Sequence, residues 1–400
     1  MRILYHHRTA SKDGQAVHIE EMIAALRSQG HLVHVVAPEI GDDSGAGGSM
    51  GAVAGWVHRM KAALPGAVYE LLELAYSLIA YRQLAAAVRE FKPDVLYERY
   101  NLYLLAGSLI KRRFGIPLLL EVNSPLVYER SRHSGGLKLP WLARRAEGMA
   151  WRSADYVLPV TAVLAQYVRD YGVPAERIAV IQNGINEAHF ATAPDTQTAK
   201  ARLALAGKLV LGFTGFVRDW HGVDRVVRWL ATPGAPANAQ LLVVGDGPVR
   251  ADLEALAAKL GLAEKLRFTG VVHRDRVPEH VAAFDIALQP AVTPYASPLK
   301  LMEYLVLGRA IVAPRVPNLL EVLSDGENAL LFDAEAPGGF EAALTRLCAD
   351  ADLRATLAAG ARATIGRLNL TWDGNARRVA ALAGALQQQA RPSEIARAAR

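Results

Sequence analysis

The order of structural elements is clearest in residues 297–313, which read SPLKLMEYLVLGRAIVA. Ser297 and Pro298 are residue types that often begin helices, and Gly308 is a usual helix end. Between them the apolar residues recur at helical spacing, and a short apolar run typical of a buried strand follows directly. The stretch therefore predicts a helix that ends at Gly308 and leads straight into a strand.

The same alternation of short strands and helices extends along the whole chain. Predicted strands cover 3–5, 32–37, 95–97, 117–122 and 156–160, and a second series covers 209–213, 241–245, 265–269, 286–289, 310–313 and 329–332. Strands joined by helix-length connections imply parallel sheets with helices on both faces. The predicted fold class is α/β, with two doubly wound Rossmann-like domains.

The length of 400 residues suits two domains of about 200 residues each. We expect a first domain over 1–183, a second over 184–373, a helix over 374–390 that returns to the first domain, and a flexible tail over 391–400. Residues 41–55 are small and polar and read as a surface loop.

Composition limits the class of protein. The chain is 52% apolar and 21% charged with a net charge of +6, which is mild for its length. It fits contact with phosphorylated ligands or an anionic surface and falls short of a nucleic-acid-binding signature. The single cysteine, Cys348, excludes an internal disulfide, and the apolar stretch 71–88 carries Glu73 and Arg82. We therefore expect a cytoplasmic protein without a membrane-spanning helix.

A glycine-containing loop after the first strand of the second series is a candidate phosphate site. Residues 212–224 read GFTGFVRDWHGVD. Gly215 would let the backbone approach a ligand closely, and Arg218 and His221 project from the same loop. The loop favours a phosphate or pyrophosphate, and the alternative is a tight turn with a solvated arginine.

The helix start at 297–303 is a second candidate site. Ser297 is a potential cap, and the backbone N–H groups of Leu299 and Lys300 would point out of the helix end toward an anion. Glu303 would accept hydrogen bonds from sugar hydroxyls, although compensation of the helix dipole is the alternative. Lys300 is mildly unfavourable at a helix start, which suggests that an anion offsets it.

Polar residues also follow the predicted strands of the first domain. They are His18 in the first turn of the first helix, Glu98 and Arg99 after one strand, and Glu121 and Asn123 after the next. Burial of a charged group without a partner or a function is energetically unfavourable. These residues are therefore candidates for an acceptor site or a domain contact. No His, Cys, Asp or Glu cluster has metal-ligand spacing, so no metal site is predicted.

Seven segments in order give the chain a family resemblance. They include DGQAVHIEEMIAALRSQGHLVHVVAP, VIQNGINEAHF, GFVRDWHGVD, LLVVGDGP, SPLKLMEYLVLGRAIVAP and LLEVLSDGENALLF. Together they resemble retaining glycosyltransferases of family 4. This family has the GT-B architecture, in which two Rossmann-like domains face each other across a cleft.

The resemblance implies a nucleotide-sugar donor held mainly by the second domain. By motif position, Glu303 would bind the donor ribose, the backbone at Leu299 and Lys300 the phosphates, and Val272 would lie by the base. Gly14 would approach the phosphate or sugar from the first domain. Arg218 and His221 would form the basic pair of the family, with His in the place usually held by Lys.

Two positions depart from the family pattern. Tyr295 stands where the family has the first glutamate of its E-x7-E motif, which contacts the donor sugar. Asn123 and Ser124 stand where a His-Asp pair is common in the first domain. Asn123 can hydrogen-bond a sugar but cannot shuttle a proton.

The implied reaction is metal-independent transfer of a sugar from a UDP- or GDP-sugar to a hydroxyl, with retention of configuration. Arg218, His221 and Glu303 would carry it, and the nucleotide sugar is a co-substrate, so no other cofactor is expected. The acceptor would be a glycan or lipid-linked sugar of cell-envelope polysaccharide or glycolipid assembly. A GT-B epimerase and a non-catalytic binding module remain alternatives, and a peripheral membrane contact stays open.

Overall fold

The computed structural model describes residues 1–9, 14–38, 64–133 and 136–398. The chain forms two compact units, Met1–Gln182 with Asn375–Arg400, and Asn183–Gly374. The loop predicted at 41–55 lies outside the described residues.

The first unit contains a five-stranded parallel sheet. Its strands are β1 (Arg2–His6), β2 (Leu32–Val36), β3 (Val95–Arg99), β4 (Leu118–Val122) and β5 (Tyr156–Pro159), in the order β2-β1-β3-β4-β5. Its helices are α1 (Gly14–Ser28), α2 (Gly66–Phe91), α3 (Ala106–Phe114), α4 (Leu126–His133), α5 (Pro140–Ser153) and α6 (Ala162–Asp170). All residues of β3 and β4 are buried, as expected for parallel strands covered on both faces.

The second unit contains a six-stranded parallel sheet. Its strands are β6 (Leu209–Thr214), β7 (Ala239–Val244), β8 (Leu266–Phe268), β9 (Ile286–Leu288), β10 (Ala310–Pro314) and β11 (Leu330–Phe332), in the order β11-β10-β9-β6-β7-β8. Its helices are α7 (Glu187–Phe190), α8 (Thr196–Arg202), α9 (Val223–Trp229), α10 (Arg250–Lys259), α11 (Val277–Ala282), α12 (Leu299–Val306), α13 (Pro317–Leu320), α14 (Gly339–Ala349) and α15 (Ala351–Leu368). The predicted α/β class is confirmed.

Strand β6 shows how this sheet is buried on both sides. Val210 packs in the apolar cluster that contains Phe284, whereas the next residue, Leu211, packs in the cluster that contains Trp229. Alternate residues of a strand point to opposite faces, so one short apolar strand contributes to two cores.

The strand order locates the place where each unit can bind a ligand. In the second unit the chain crosses in one direction from β6 to β8 and in the other from β9 to β11, which is the Rossmann order. The first unit has the related order 2-1-3-4-5. Loops that leave neighbouring strands diverge at the switch points, between β6 and β9 and between β1 and β3. Ligands of such sheets bind there, outside the carboxyl ends of the strands.

The last helix, α16 (Trp372–Ala398), belongs to the first unit from Asn375 onward. The buried Asn375 side-chain amide donates a hydrogen bond to the Gln182 carbonyl at 2.7 Å. The helix reaches Ala398, beyond the point where a flexible tail was expected. Alanine and arginine, which recur in this segment, are strong helix formers.

Among the described residues, α2 is a helix long and apolar enough to cross a membrane by length and composition alone. It packs against β1, β2 and α3 of the first unit. Its inner side carries two buried acids that are hydrogen-bonded within the unit. Tyr103 donates to Glu70 at 2.7 Å, and Arg130 donates to Glu73 at 2.6 and 3.0 Å. Only 39% of its most apolar window is buried, so one side of this packed helix is uncovered.

Candidate functional site

A buried tyrosine fixes helix α12 at the switch point of the second unit. The Tyr304 hydroxyl accepts a hydrogen bond from the Thr214 N–H at 3.0 Å and donates one to the Leu288 carbonyl at 3.4 Å. Thr214 and Leu288 end β6 and β9, the two strands at which the sheet order reverses. One hydroxyl therefore connects both strand ends to the helix. The sequence pattern did not mark Tyr304, because it reads as one more apolar position of the helix.

Two glycines allow the backbone of the loop after β6 to contact the backbone of the loop after β7. Gly215 has φ +117°, and Gly245 has φ +140°. A Cβ at Gly245 would lie 2.2 Å from the Gly215 carbonyl oxygen, so a side chain does not fit there. A Cβ at Gly215 would lie 3.8 Å from Lys300 Nζ. The ligand approach expected at Gly215 stays a prediction, and the Lys300 side chain is what a Cβ there would contact.

The Lys300 ammonium lies beside Gly215 without an anionic partner in contact. Its Nζ is 3.9 Å from the centroid of the Phe213 ring. It makes no hydrogen bond or ion pair with any residue that the structure describes. Burial lowers the pKa of Lys300 to about 7, and the nearby Glu303 opposes this shift. A desolvated cation at a helix start is unfavourable by itself, and an anionic ligand would relieve that strain.

His221 is a neutral hydrogen-bond donor in this arrangement. Its Nδ1 accepts a hydrogen bond from the Arg218 backbone N–H at 3.1 Å, which leaves the proton on Nε2. Burial, and then the charges of Lys300 and Arg218, lower the pKa of His221 to about 3. The expected pair of Arg218 and His221 stays a prediction, with His221 shifted toward its neutral form. The cation that lies beside the imidazole is Lys300.

Arg218 lies at the exposed rim of the loop. Its guanidinium carbon is 4.9 Å from the Phe216 ring centroid and 5.1 Å from that of Trp220. Both rings are themselves partly exposed. Arginine stays charged at any physiological pH, and cation–π contacts hold such a side chain without neutralising it.

Glu303 presents an unused carboxylate oxygen. Its Oε2 is buried and has no hydrogen-bond partner among the described residues. Burial raises the pKa of Glu303 to about 7, while Lys300 and Arg274 lower it. A buried acceptor without a donor is unfavourable, so this oxygen suits a ligand that brings hydroxyl groups.

The other donor-side candidates are placed by the loop that precedes α12. Helix α12 begins at Leu299 with Pro298 as its N-cap residue. The predicted Ser297 cap is wrong, because Ser297 stands one residue too early. Its hydroxyl instead accepts a hydrogen bond from the Asn183 N–H at 3.4 Å, and its carbonyl accepts one from the Asn183 side chain at 2.6 Å. The N–H groups of Leu299 and Lys300 open the helix, where no intrahelical acceptor exists.

Asn318 holds that loop in shape and was not identified from the sequence. It is 2% exposed, and its Nδ2 donates to the carbonyls of Thr293 and Ala296 at 3.1 and 2.7 Å. Tyr295, which lies between Thr293 and Ala296 in the sequence, is buried. Val272 is half-buried and packs against the core of the unit. Asparagine in a loop gives no sequence signal that separates this role from a surface turn.

Four of the five acceptor-side candidates meet in the first unit. Glu121 is 2% exposed and accepts a hydrogen bond from the Tyr97 hydroxyl at 2.7 Å. His18 Nε2 lies 3.0 Å from Glu121 Oε2, and Arg99 and Asn123 donate to Oε1. Burial raises the pKa of Glu121, but His18 and Arg99 outweigh it and hold this pKa well below its usual range. Glu121 is therefore an ionised centre that orients three polar side chains.

Glu98 belongs to a separate pair. Its Oε2 is 2.6 Å from His6 Nδ1 and accepts the Gly107 N–H at 3.1 Å. Glu98 and Arg99 are consecutive strand residues, so they point to opposite faces of the sheet. Glu98 links β1 to β3 at the switch point of the first unit. Gly14 begins α1, and 10–13, which precede it, are outside the described residues.

No group of three His, Cys, Asp or Glu side chains that could hold a metal ion occurs within the described ranges. At the switch point of the second unit, the described charged groups with open positions include the Lys300 ammonium and Glu303 Oε2. The unit has the doubly wound α/β order, the class of fold in which ligands bind outside the strand ends at the switch point.

Two family models match the chain. The model described as "Glycosyl transferase 4-like domain" matches residues 13–184, and "Glycosyl transferases group 1" matches residues 208–350. A D-inositol 3-phosphate glycosyltransferase of Xylanimonas cellulosilytica is 30% identical over 70% of this chain and 69% of that protein. The protein of the same description from Acidothermus cellulolyticus is 32% identical over 70% of this chain. The chain spans 64% of the length of that relative.

Solved structures share the fold. Sucrose-phosphate synthase of Thermosynechococcus elongatus has a TM-score of 0.76 at 18% identity, covering 98% of this chain and 99% of that one. HepE of Anabaena in complex with UDP-glucose has a TM-score of 0.71 at 19% identity, covering 96% and 100%. The fold is thus the two-domain GT-B fold of glycosyltransferases. The chain belongs to glycosyltransferase family 4.

Proposed function

We propose that this protein transfers a sugar from a nucleoside diphosphate sugar to a hydroxyl acceptor. The observation that supports this proposal is a pair of polar groups without hydrogen-bond partners among the described residues. They are the Lys300 ammonium and Glu303 Oε2, at the switch point of the second unit. In a nucleoside diphosphate sugar, the phosphates would pair with the Lys300 ammonium, and the ribose hydroxyls would donate hydrogen bonds to Glu303. The complex of HepE with UDP-glucose supports a UDP-sugar as the first donor to test, with GDP-sugars next.

Departure of the nucleoside diphosphate places negative charge on its outer phosphate. Fixed donors aimed at developing charge lower such barriers most. Lys300 would supply a desolvated cation, the N–H groups of Leu299 and Lys300 would supply the helix start, and His221 would donate from Nε2. Arg218 would add charge from the rim of the loop. The acceptor oxygen would bond to the anomeric carbon of the sugar as the bond to the diphosphate breaks, and the leaving phosphate would take the proton of the hydroxyl. No protein nucleophile is assigned.

Retention of configuration, independence of metal, and use of the first unit for the acceptor are parts of this proposal that derive from the family resemblance. The Glu121 centre is the acceptor-side candidate, since it holds Arg99, Asn123 and His18 in fixed orientations. We further propose a cytoplasmic protein that acts in envelope polysaccharide or glycolipid assembly and touches a membrane peripherally.

Replacement of Lys300 tests the donor site. We expect Lys300→Ala to weaken binding of the best UDP- or GDP-sugar at least tenfold, since a charge-assisted contact to phosphate is worth about 1.5–3 kcal/mol. Isothermal titration with EDTA present measures this and also tests metal independence. His221→Lys in the Lys300→Ala background should restore part of the affinity, because it returns a cation to the same place.

The control is Lys259→Ala, which removes an exposed lysine of α10 in the same unit. Unchanged affinity in Lys300→Ala and in Arg218→Ala would contradict the proposed site. A product assay without acceptor separates the alternatives. An epimerase would convert the donor alone, and a binding module would bind the donor tightly without turnover across a panel of acceptors.

A further inference from the structure

The outer side of the first unit carries an uncovered apolar stripe. On α2 the exposed residues Val68, Leu71, Leu72, Leu78 and Ile79 recur at helical spacing and form one side of the helix. Leu78 keeps 62% of its surface exposed. Single exposed leucines are ordinary, but a continuous stripe of this length marks an interaction site.

Three helices share this surface around one groove. A groove of about 600 Å³ is lined by Leu71 and Leu78 of α2, Leu109 and Arg112 of α3, and Met149 of α5. Met149 is 47% exposed, and Trp141, two turns earlier on α5, is 63% exposed. We call the exposed residues of these three helices the α2–α3–α5 face.

Charge is segregated across these helices. They carry four acids, of which Glu70, Glu73 and Glu147 are buried, and only Glu90, at the end of α2, is exposed. Most of the basic residues point outward. The exposed ones are Arg82, Arg89, Arg112, Arg113, Arg144, Arg145 and Arg152. Lys111 differs, since it is paired with Asp155 at 2.8 Å.

The buried acids are all satisfied inside the unit. Glu147, for example, accepts hydrogen bonds from the Tyr100 hydroxyl at 2.8 Å and from the Val127 N–H at 3.1 Å. Their charge is therefore directed inward, and the α2–α3–α5 face presents arginines among leucines with almost no opposing charge.

We propose that the α2–α3–α5 face docks on a bilayer that contains anionic lipid. Leucine side chains and Trp141 would enter the headgroup boundary while the arginines contact the lipid phosphates. The cationic charge disfavours a second copy, because two such faces would repel each other. The exposed leucines likewise disfavour a partner that would contact the face through phosphate groups alone, because such a partner would leave them in water. This inference rests on the membrane contact proposed above and assigns that contact to the α2–α3–α5 face. The residues of this face are not those of the proposed donor site.

Vesicle sedimentation of the full chain tests this inference. We expect the protein to sediment with vesicles of phosphatidylglycerol and phosphatidylcholine at low salt, and at least tenfold less with pure phosphatidylcholine. Arg112→Gln with Arg145→Gln should weaken binding about 25-fold, since each basic residue near an anionic surface contributes about fivefold. Leu71→Ser with Leu78→Ser should weaken it about tenfold or more by removing the apolar contact.

Two changes elsewhere in the first unit are the controls. Leu32→Ser removes a leucine of β2 that is 59% exposed, and Arg169→Gln removes an exposed arginine of α6. Neither should alter vesicle binding. None of these residues lies in the donor site, so donor affinity should stay unchanged in every variant. If the wild type bound vesicles but no UDP- or GDP-sugar, the proposed function would be overturned and this inference would stand.

Three results would overturn the inference. One is the absence of sedimentation with anionic vesicles. Another is equal binding by the wild type and both face variants. The third is a dimer in analytical ultracentrifugation that Leu71→Ser with Leu78→Ser dissociates, which would make the face a subunit interface.

Discussion

At the scale of single residues, the proposed donor site contains Lys300 and Glu303, two buried charged groups without a hydrogen-bond partner among the described residues for Lys300 Nζ or Glu303 Oε2. Burial shifts the pKa values of Lys300 and Glu303 toward each other, to about 7 for both. Burial also lowers the pKa of His221, to about 3, so all three shifts favour the neutral form of the group. Shifts of this kind clustered at one place indicate a site whose ligand supplies the missing partners.

The pH dependence of donor binding follows from Lys300. An anionic ligand stabilises the protonated amine, so the complex binds more protons than the free protein above pH 7. Affinity should therefore fall as pH rises, by about tenfold between pH 7 and pH 8.5, for a free pKa of about 7. An intact nucleotide sugar is the probe, because its diphosphate does not titrate in this range.

Titration calorimetry at several pH values measures this dependence, and Lys300→Ala is the control. Glu303, with a pKa of about 7, titrates in the same range, whereas His221, with a pKa of about 3, does not. If affinity still falls with rising pH in Lys300→Ala, another group titrates and the role given to Lys300 is wrong.

At the scale of elements, the decisive contact is the attachment of α12 to two strand ends. Leu301, Met302 and Leu305 bury the apolar side of the helix in the core. The Tyr304 hydroxyl then fixes the helix against β6 and β9 together. Because Leu299, Lys300 and Glu303 lie in the first turns of the same helix, their positions depend on that attachment.

Tyr304→Phe should loosen this attachment. It leaves the buried Thr214 N–H without its acceptor, which destabilises the protein by about 1–3 kcal/mol. Donor affinity should fall several-fold in addition, since the helix start is less well fixed. Urea unfolding and donor titration measure the two effects.

Tyr81→Phe is the matched control, because the Tyr81 hydroxyl makes no hydrogen bond with the described residues. It should change stability by less than about 0.5 kcal/mol. Equal stability of Tyr304→Phe and Tyr81→Phe would show that the Tyr304 hydroxyl does not hold the helix.

At the scale of the whole molecule, each unit has its own sheet, its own core and its own candidate site. The donor groups belong to Asn183–Gly374, and the Glu121 centre and the α2–α3–α5 face belong to the other unit. The two proposed contacts, with donor and with membrane, therefore use different units.

Hydrogen exchange on the intact chain should resolve these two contacts. A bound UDP- or GDP-sugar should slow exchange at 214–222 and 297–303, because it orders the helix start and the glycine loop. Anionic vesicles should slow exchange at 66–91 and 140–153 instead. Protection of 66–91 by the nucleotide sugar alone, without vesicles, would contradict this division.

The residues of the proposed donor site lie near strand ends that the sequence predicts, and the reason is local. Gly215, Arg218, His221 and Glu303 each lie within a few residues of a strand end that apolar periodicity reveals. The charge state of His221 could not be predicted, since it depends on a backbone N–H and on burial. The Ser297 cap was wrong because a one-residue shift in a helix start lies beyond what a sequence pattern resolves.

The sequence by itself determined the alternation of strands and helices, the division into two Rossmann-like units, and the family, because these depend on local periodicity and ordered motifs. Only the tertiary structure decided that Lys300, rather than His221, is the second cation, that Glu98 and Arg99 serve different partners, and that the acids of α2 and α5 point inward. These properties depend on which side chains meet across the sheet and which lose contact with water. Neither quantity is encoded in the spacing of residues along the chain.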